Sequence, residues 1–162
     1  MAGILPPTSG HVEINGKVTA LLDLGAGMEG NLDGWSNIEL SAALQRIPKA
    51  QHASFRNYVA EFSELGEALS RPIRTYSMGM LLRLIFSLRT YVTPEILVVD
   101  EVFGVGDQGF ALKAQKRTIE ILRTASSFAL ASHDFKLIRD FCARTVWLDG
   151  GRVVAVLRRR RA

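Results

Sequence analysis

Cysteine is almost absent from this sequence, since Cys142 is the only one in 162 residues. No internal disulfide can form, which is compatible with a reducing compartment but does not require one. Apolar residues recur at helical spacing just before it, at Phe135, Ile138 and Phe141. We therefore predict that Cys142 is a small core residue next to a helix.

Long apolar runs are also missing. The longest stretch, from Met78 to Leu88, is interrupted by Arg83 and is far shorter than the ~20 residues that a membrane-spanning helix needs. The segment from Met1 to Pro7 has no basic region and too short an apolar one for a signal peptide. These absences predict a cytoplasmic protein.

Outside its carboxyl-terminal end, the chain has little excess of positive over negative charge. The net charge is +4, which equals the charge of the run Arg158–Arg161. This run could be a solvated tail or could contact phosphates of lipid head groups or nucleic acid. We favour the tail, at residues 158–162, because no aromatic residues are interleaved to stack on bases. With 48% hydrophobic residues, the remainder fits one globular domain.

The first part of the chain predicts a hairpin. Val12, Ile14 and Val18 alternate with polar residues around Asn15-Gly16, and Asn-Gly between alternating apolar residues is a strong hairpin signal.

Three amphipathic helices are predicted next. The apolar spacing places them at residues 36–47, 55–65 and 78–91. Ser36–Glu39 is a capping-box sequence that would begin the first, Pro48 would stop it, and Gly66 is placed to end the second. These helices predict a separate helical lobe over residues 34–92.

The pattern then changes to short, buried strands. Ile96–Val99 and Phe128–Ala131 are continuous apolar runs, which fit strands covered on both faces. A helix with Leu112, Gln115, Ile119 and Leu122 on one side separates them, and another follows at 134–143. Alternating strands and helices predict a parallel α/β sheet.

A second hairpin closes the pattern. Val146–Leu148 and Val153-Val154 flank the turn sequence Asp149-Gly150-Gly151.

Polar side chains follow both buried strands. Asp100-Glu101 comes directly after the first, and Ser132-His133-Asp134 after the second. Ligands of open parallel sheets bind beyond the carboxyl ends of the strands, and a metal or a phosphate-bound water would explain carboxylates there. The alternatives are an acidic helix cap and a satisfied core histidine.

The segment Tyr76–Met80 precedes the third helix. A hydroxyl and a glycine at a helix start can form an anion site, because the free amides and the helix dipole both face the ligand. The alternative is simple capping, since serine is a good N-cap residue.

The order of these motifs resembles that of ABC-type ATPases. Tyr-Ser-Met-Gly-Met, Leu-Val-Val-Asp-Glu, Gly-Val-Gly-Asp and Ser-His-Asp match the signature motif, Walker B, D-loop and switch histidine. Leu22–Met28, Asn37-Ile38 and the closing Val-Trp-Leu-Asp-x-Gly-Arg-Val segment are similar to the branch that exports O-antigen, capsule and teichoic acid. The resemblance extends to about Ala155, so residues 1–157 are identified as a partial ABC ATPase domain.

The resemblance implies a P-loop NTPase-like α/β fold, ATP and Mg²⁺ as cofactors, and a role for each matching residue. Asp100 would hold Mg²⁺ through water, Glu101 would orient or deprotonate the attacking water, and His133 would contact the γ-phosphate. The signature motif would bind ATP held by the second subunit of a head-to-tail dimer, and Asp107 would lie at that interface. The signature residues assigned to nucleotide binding are Tyr76, Ser77, Gly79 and Met80.

Partners and location follow from the same resemblance. The helical lobe and residues 25–35 would meet a membrane permease of the ABC-2 exporter type, at the inner face of the cell membrane. No nucleic acid is expected. ATPase heads of DNA-repair and chromosome-structure proteins carry similar motifs, but they usually contain a long inserted coiled coil that is not seen here.

The sequence departs from the family in its phosphate-binding loop. No Gly-x-x-x-x-Gly-Lys-Ser/Thr segment is present, because Gly16-Lys17 is followed by Val18. We therefore expect the domain to be incomplete at its N-terminus, and the isolated chain neither to fold stably nor to hydrolyse ATP. The alternative is a non-catalytic partner that donates its signature motif to a complete ATPase subunit.

Overall fold

A computed structural model describes residues 5–16, 18–21, 27–100 and 108–158. The sheet-forming strands and the helices alternate along the chain after an all-helical segment. In chain order the described elements are β1 (Val18–Leu21), α1 (Gly34–Leu44), α2 (His52–Ser63), α3 (Met78–Thr90), β2 (Ile96–Asp100), α4 (Gln108–Thr124), β3 (Ser127–Ala131), α5 (Phe135–Phe141), β4 (Arg144–Asp149) and β5 (Arg152–Arg158). Three short 3₁₀ helices lie at Lys49–Gln51, Gly66–Ser70 and Ile73–Thr75.

The first three strands form a parallel sheet in the order β1-β2-β3. Their pairing confirms the predicted α/β fold with a helical lobe between strands. The predicted N-terminal hairpin is wrong, because Val18 pairs in parallel with Ile96 and residues 11–16 form no strand. Parallel pairing with an apolar central strand replaces the local pairing that the Asn-Gly turn suggested.

The sheet packs against α3, α4 and α5. Leu97 and Val99 of β2 are each 1% exposed and contact a core that includes Phe86, Phe110 and Leu137. The predicted buried stripe of α4 is shifted. Its buried residues are Phe110, Ala114, Thr118, Ile121 and Leu122, whereas Leu112 is 63% exposed. The ring of Phe110 packs edge-on against Phe62 and Phe86, and this contact sets the rotation of the helix.

The helical lobe has a second core, built by α1, α2, α3 and the 3₁₀ segments. Phe55 and Val59 of α2 are fully buried there together with Ile38 of α1. Helix α3 belongs to both cores, because Leu84 faces the lobe and Phe86 faces the sheet. The lobe and the sheet therefore share one helix.

Three helix ends differ from their predictions. The N-cap of α1 is Asp33, whose carboxylate accepts the backbone N–H of Ser36 at 2.7 Å, so the predicted capping box does not begin the helix. Helix α2 ends at Ser63, and its C-cap is Glu64, which has a left-handed backbone (φ 55°) and lies two residues before Gly66. The first helix also stops at Leu44, before Pro48.

The carboxyl-terminal elements form a short helix and a hairpin. Strands β4 and β5 pair in antiparallel fashion around Gly150 and Gly151, both with positive φ, which confirms the predicted hairpin. Cys142 lies just past α5 and is half-buried, and Phe135 is 84% exposed, so the predicted core around the cysteine is only partly formed. Burial raises the pKa of the Cys142 thiol.

Within the described ranges, no helix combines the length and the apolar character needed to cross a membrane.

Candidate functional site

The carboxyl ends of β2 and β3 lie side by side. Asp100, the last residue of β2, is the register partner of Ala131, the last residue of β3. The strands are parallel, so whatever follows them in the chain emerges at one edge of the sheet. This geometry brings Asp100 and the Ser132–Asp134 segment to the same edge, as the sequence predicted.

The turn after β3 is held by its own side chains. The Ser132 hydroxyl accepts the backbone N–H of Asp134 at 3.0 Å, and the Asp134 carboxylate accepts those of Lys136 and Leu137 at 2.8 and 3.2 Å. Asp134 is therefore the N-cap of α5. His133 lies between these two anchors and is exposed beyond the end of β3. The fixed turn therefore places His133 at the edge where Asp100 ends its strand.

Two of the predicted site residues, Glu101 and Asp107, lie outside the described residues, and only the backbone of Asp100 is described. Their assignments stay predictions. Carboxylate oxygens are the ligands that Mg²⁺ prefers, so Asp100-Glu101 at a strand end is a fitting donor pair for that ion.

The predicted signature residues occupy the start of α3. Ser77 is exposed and is the N-cap; its hydroxyl accepts the backbone N–H of Met80 at 3.2 Å. The backbone N–H groups of Met78 and Gly79 have no helical acceptor, as in any first turn. Met78 is 71% exposed, so its side chain does not cover the helix start. The start of α3 can therefore accept an anion from outside the chain.

No close contact within the described part of the chain requires a glycine at position 79. A β-carbon there would meet nothing closer than the Ser77 hydroxyl oxygen, at 3.9 Å. Glycine in a helix is less favourable than alanine by roughly 0.5–1 kcal/mol. The protein therefore keeps a less favourable residue beside an exposed hydroxyl and free amides, as a site approached closely by a ligand would require.

Tyr76 points into the lobe instead of toward the helix start. Its hydroxyl donates to the carbonyl oxygen of Ala68 at 2.7 Å. Burial, with a smaller contribution from the negative charge of Asp33, raises the pKa of the Tyr76 hydroxyl. Tyr76 therefore anchors the segment that carries Ser77. Met80 is half-buried and packs against the lobe core.

No structural role was predicted for Asn37, which is fully buried. Its side-chain oxygen accepts the backbone N–H of Glu29 at 2.8 Å, and its amide nitrogen donates to the carbonyls of Glu29 and Asp33 at 3.0 and 2.9 Å. It thereby fixes the loop that precedes α1. The available signals were a polar residue at a core-facing helical position and the similarity of Asn37-Ile38 to the export branch.

The fold is that of the ATP-binding domain of ABC transporters. One solved ATP-binding subunit of an ABC transporter superposes with a TM-score of 0.67 at 20% identity, over 87% of this chain and 58% of that one. A dimeric ATP-binding cassette, solved in a post-hydrolysis state with ADP and Pi, gives a TM-score of 0.63 at 16% identity, over 88% of this chain and 63% of the other.

By sequence, the chain is a homologue of the ATP-binding proteins of O-antigen and teichoic acid export systems. It is 42% identical to RfbE of Yersinia enterocolitica, 38% to RfbB of Myxococcus xanthus and 38% to TagH of Lactococcus lactis. These matches cover 93–96% of this chain but 63%, 35% and 33% of the three relatives, respectively, so it spans less than two thirds of their lengths. No protein-family model matches the chain.

Proposed function

We propose that this chain provides the signature, Walker B and switch-histidine parts of an ATP-binding subunit in an exporter of cell-surface polysaccharide. The observation that carries the proposal is the register of Asp100 with Ala131, which brings a carboxylate strand end and His133 to one edge of a parallel sheet. The names of the relatives, O-antigen and teichoic acid exporters, support the class of cargo.

Each group at this edge has a role in phosphoryl transfer. Asp100 would hold Mg²⁺ through water, and the ion when bound would supply positive charge next to the phosphates. Glu101 orients or deprotonates the attacking water, and His133 donates toward the γ-phosphate. Positioning and charge stabilisation supply most of the catalysis in this reaction, so a sheet edge that places His133 beside the end of β2 suits it.

The start of α3 binds ATP held by a second subunit. The exposed Ser77 hydroxyl donates to the γ-phosphate, the open space at Gly79 lets the phosphate approach, and the helix dipole favours its negative charge. Asp107 lies at the interface of the head-to-tail dimer. The dimeric state of a solved structure with this fold supports this arrangement.

The helical lobe contacts the permease. The loop fixed by Asn37 and the adjoining helix α1 form the docking surface for a membrane subunit of the ABC-2 exporter type, with the ATPase on the cytoplasmic face of the membrane. The support is the hydrogen bonding of this loop, which gives a rigid surface at residues 29–33, together with the export systems to which the relatives belong.

The test is ATP-dependent association with a complete ATP-binding subunit of the same export class. That subunit carries a glutamine at its catalytic glutamate, so that bound ATP persists. Sedimentation velocity should show a heterodimer with ATP and Mg²⁺ and none without. Ser77→Asp keeps a good N-cap but sets a carboxylate against phosphate, and should weaken association at least tenfold, or ~1.4 kcal/mol.

Ser70→Asp is the matched control, because it places the same charge at an exposed serine elsewhere on the lobe. Association that is independent of ATP, or equal for Ser77→Asp and Ser70→Asp, would contradict the proposal.

A non-catalytic signature donor is the second candidate. It is favoured by the exposed Ser77 hydroxyl and by Gly79, where a β-carbon would meet nothing closer than 3.9 Å, so that both leave room for a nucleotide held elsewhere. Magnesium-dependent turnover of a mixture with wild-type complete subunit separates the two. Glu101→Gln in this chain lowers turnover if it hydrolyses ATP, and leaves turnover unchanged if it only donates the signature.

A further inference from the structure

Helix α4 contacts the helical lobe through two cations that lie one helical turn apart, Lys113 and Arg117. Each is directed to the carboxyl end of a different lobe helix. The carboxyl end of a helix carries unpaired carbonyls and partial negative charge, so a cation there both donates hydrogen bonds and complements the dipole.

Arg117 binds the end of α3. Its Nε and Nη2 both donate to the carbonyl oxygen of Thr90, at 3.1 and 2.6 Å. Thr90 is the last residue of α3, and the residue four positions later is Pro94, which has no N–H to donate. The continuing chain therefore cannot supply the usual helical donor to this carbonyl, and Arg117 replaces it. The Nη1 of the same guanidinium donates to the Glu120 carboxylate at 3.1 Å.

Lys113 binds the end of α2. Its Nζ donates to the carbonyl oxygen of Phe62 at 3.0 Å and to the Glu64 carboxylate at 2.6 Å. Glu64 also pairs with Arg83 of α3 at 3.7 Å. One carboxylate at the end of α2 therefore meets cations from both neighbouring helices. The backbone of Glu64 is left-handed (φ 55°) and turns the chain at that point.

The two cations also lie over aromatic rings of the lobe. Lys113 Nζ is 4.6 Å from the centroid of the Phe62 ring, and the Arg117 guanidinium is 5.7 Å from that of Tyr58. Tyr58 in turn contacts the Thr90 hydroxyl at 3.2 Å. These contacts restrict the rotamers of both cations, which are only 33% and 22% exposed.

We propose that Lys113 and Arg117 are positioning residues that set the orientation of the helical lobe relative to the sheet. We call the contacts of Lys113 and Arg117 with the two helix ends the clasp. Helix α3 ends in the clasp at Thr90, and its N-cap is the signature residue Ser77. A helix of this length is rigid over ~20 Å, so fixing one end fixes where the other end lies. The clasp therefore fixes the position of Ser77 relative to α4. Because α4 packs against the sheet, it also fixes Ser77 relative to the strand that ends in Asp100. The functional consequence rests on the proposed function.

The structural claim is tested by a distance between the lobe and α4. Spin labels are placed at Lys49→Cys and Arg123→Cys, both exposed, in a Cys142→Ser background, and their separation is measured by pulsed electron spin resonance. The clasp predicts one narrow distribution. The double variant Lys113→Met with Arg117→Met should widen this distance distribution about twofold, because the helical lobe then becomes free to rotate against α4.

Lys116→Met is the matched control: it removes a charge from an exposed position of the same helix and should leave the distribution unchanged. Arg117→Lys keeps the charge but cannot place two donors of a planar fork on one carbonyl, and should give an intermediate width. Circular dichroism identifies variants that do not fold. If the double variant does not fold, the width measured for Arg117→Lys tests the proposal instead. A width equal to that of the control overturns the proposal.

The functional consequence is tested separately, in the ATP-dependent association assay described above. The double variant should associate more weakly than Lys116→Met, and Arg117→Lys should recover part of the loss. Equal association of the double variant and the control overturns the functional role of the clasp, even where its distance distribution widens. If the wild type itself does not associate, the proposed function fails, while the distance measurement still decides the clasp.

Discussion

Gly34 approaches Tyr76 so closely that a β-carbon on Gly34 would lie 2.7 Å from the phenolic oxygen. The same β-carbon would lie 2.8 Å from a methyl group of Leu69 and 3.1 Å from its Cα. The first residue of α1 and the residue before the signature serine are thus packed against each other and against a 3₁₀ helix. This contact fixes the start of α1 relative to the start of α3.

Gly34→Ala should therefore destabilise the chain by roughly 1–3 kcal/mol, the typical cost of overpacking a core. Urea unfolding followed by circular dichroism measures this change. Tyr76→Phe removes the obstructing oxygen, so the two substitutions together should cost less than the sum of their separate effects. Gly30→Ala is the control, since its β-carbon would meet only Arg74 Cβ at 3.7 Å. Equal stability of the two alanine variants would contradict the close packing.

The elements that could be predicted from sequence are those whose signal is local. In the short apolar run Ile96–Val99, Leu97 and Val99 are buried in the sheet, and the Asp149–Arg152 turn pairs neighbouring segments. The partner of Val18 could not be predicted, because it lies far along the chain at Ile96 and no local pattern encodes a parallel ladder. Helix rotation was likewise decided by a distant partner, the aromatic contact of Phe110.

The candidate site divides in the same way. That Asp100 and His133 share an edge follows from two strand ends and the rule for parallel sheets, so sequence was sufficient. Tyr76 lies in the signature segment but donates to Ala68, and sequence cannot show which way a side chain turns. Asn37 and Gly34 were missed as structural residues because their importance comes from groups they meet only in the folded chain.

Asn37→Asp should destabilise the chain more at neutral pH than at acidic pH. The amide nitrogen donates to carbonyl oxygens of Glu29 and Asp33, and an ionised carboxylate would face them without a proton. A buried unsatisfied polar group costs about 1–3 kcal/mol, and a charged one costs more. Protonation in acid restores a donor, so the difference from wild type in urea unfolding should shrink. Asn57→Asp, exposed on α2, is the control, and a pH-independent difference at Asn37 would argue against the donor role.

The carboxylate of Asp33 should make a measurable contribution to acid sensitivity. The backbone N–H of Ser36, followed by its hydroxyl, lowers the pKa of Asp33 from the ordinary value of 3.8. A lowered folded pKa means that the stabilisation is present above 3.8 and is lost as the pH falls through the folded value. The Asp33 carboxylate is well solvated, so its contribution to the free energy of unfolding is small.

Asp33→Asn keeps a good N-cap and removes the titration. Its unfolding free energy should fall less than that of the wild type between about pH 6 and about pH 3, where carboxylates titrate. Asp149→Asn, in the exposed hairpin, serves as the control. Identical acid profiles for wild type and Asp33→Asn would show that this cap does not depend on charge.

Gly79→Ala should have opposite effects on folding and on association. Within the chain the new methyl group meets only the Ser77 hydroxyl oxygen, at the ordinary contact distance of 3.9 Å, and alanine should raise the free energy of unfolding by up to about 1 kcal/mol. If a phosphate approaches the helix start, the methyl group takes its space, and ATP-dependent association should weaken at least tenfold, or ~1.4 kcal/mol.

A residue that only shapes the fold cannot show this combination, because a better-folded chain would associate at least as well. Met78→Ala is the control, since it changes an adjacent exposed side chain without filling the position beside Ser77. Gly79→Ala that is both more stable and equally able to associate would indicate that no ligand comes close to Gly79. A gain in stability together with a loss of association would locate the nucleotide contact at the start of α3.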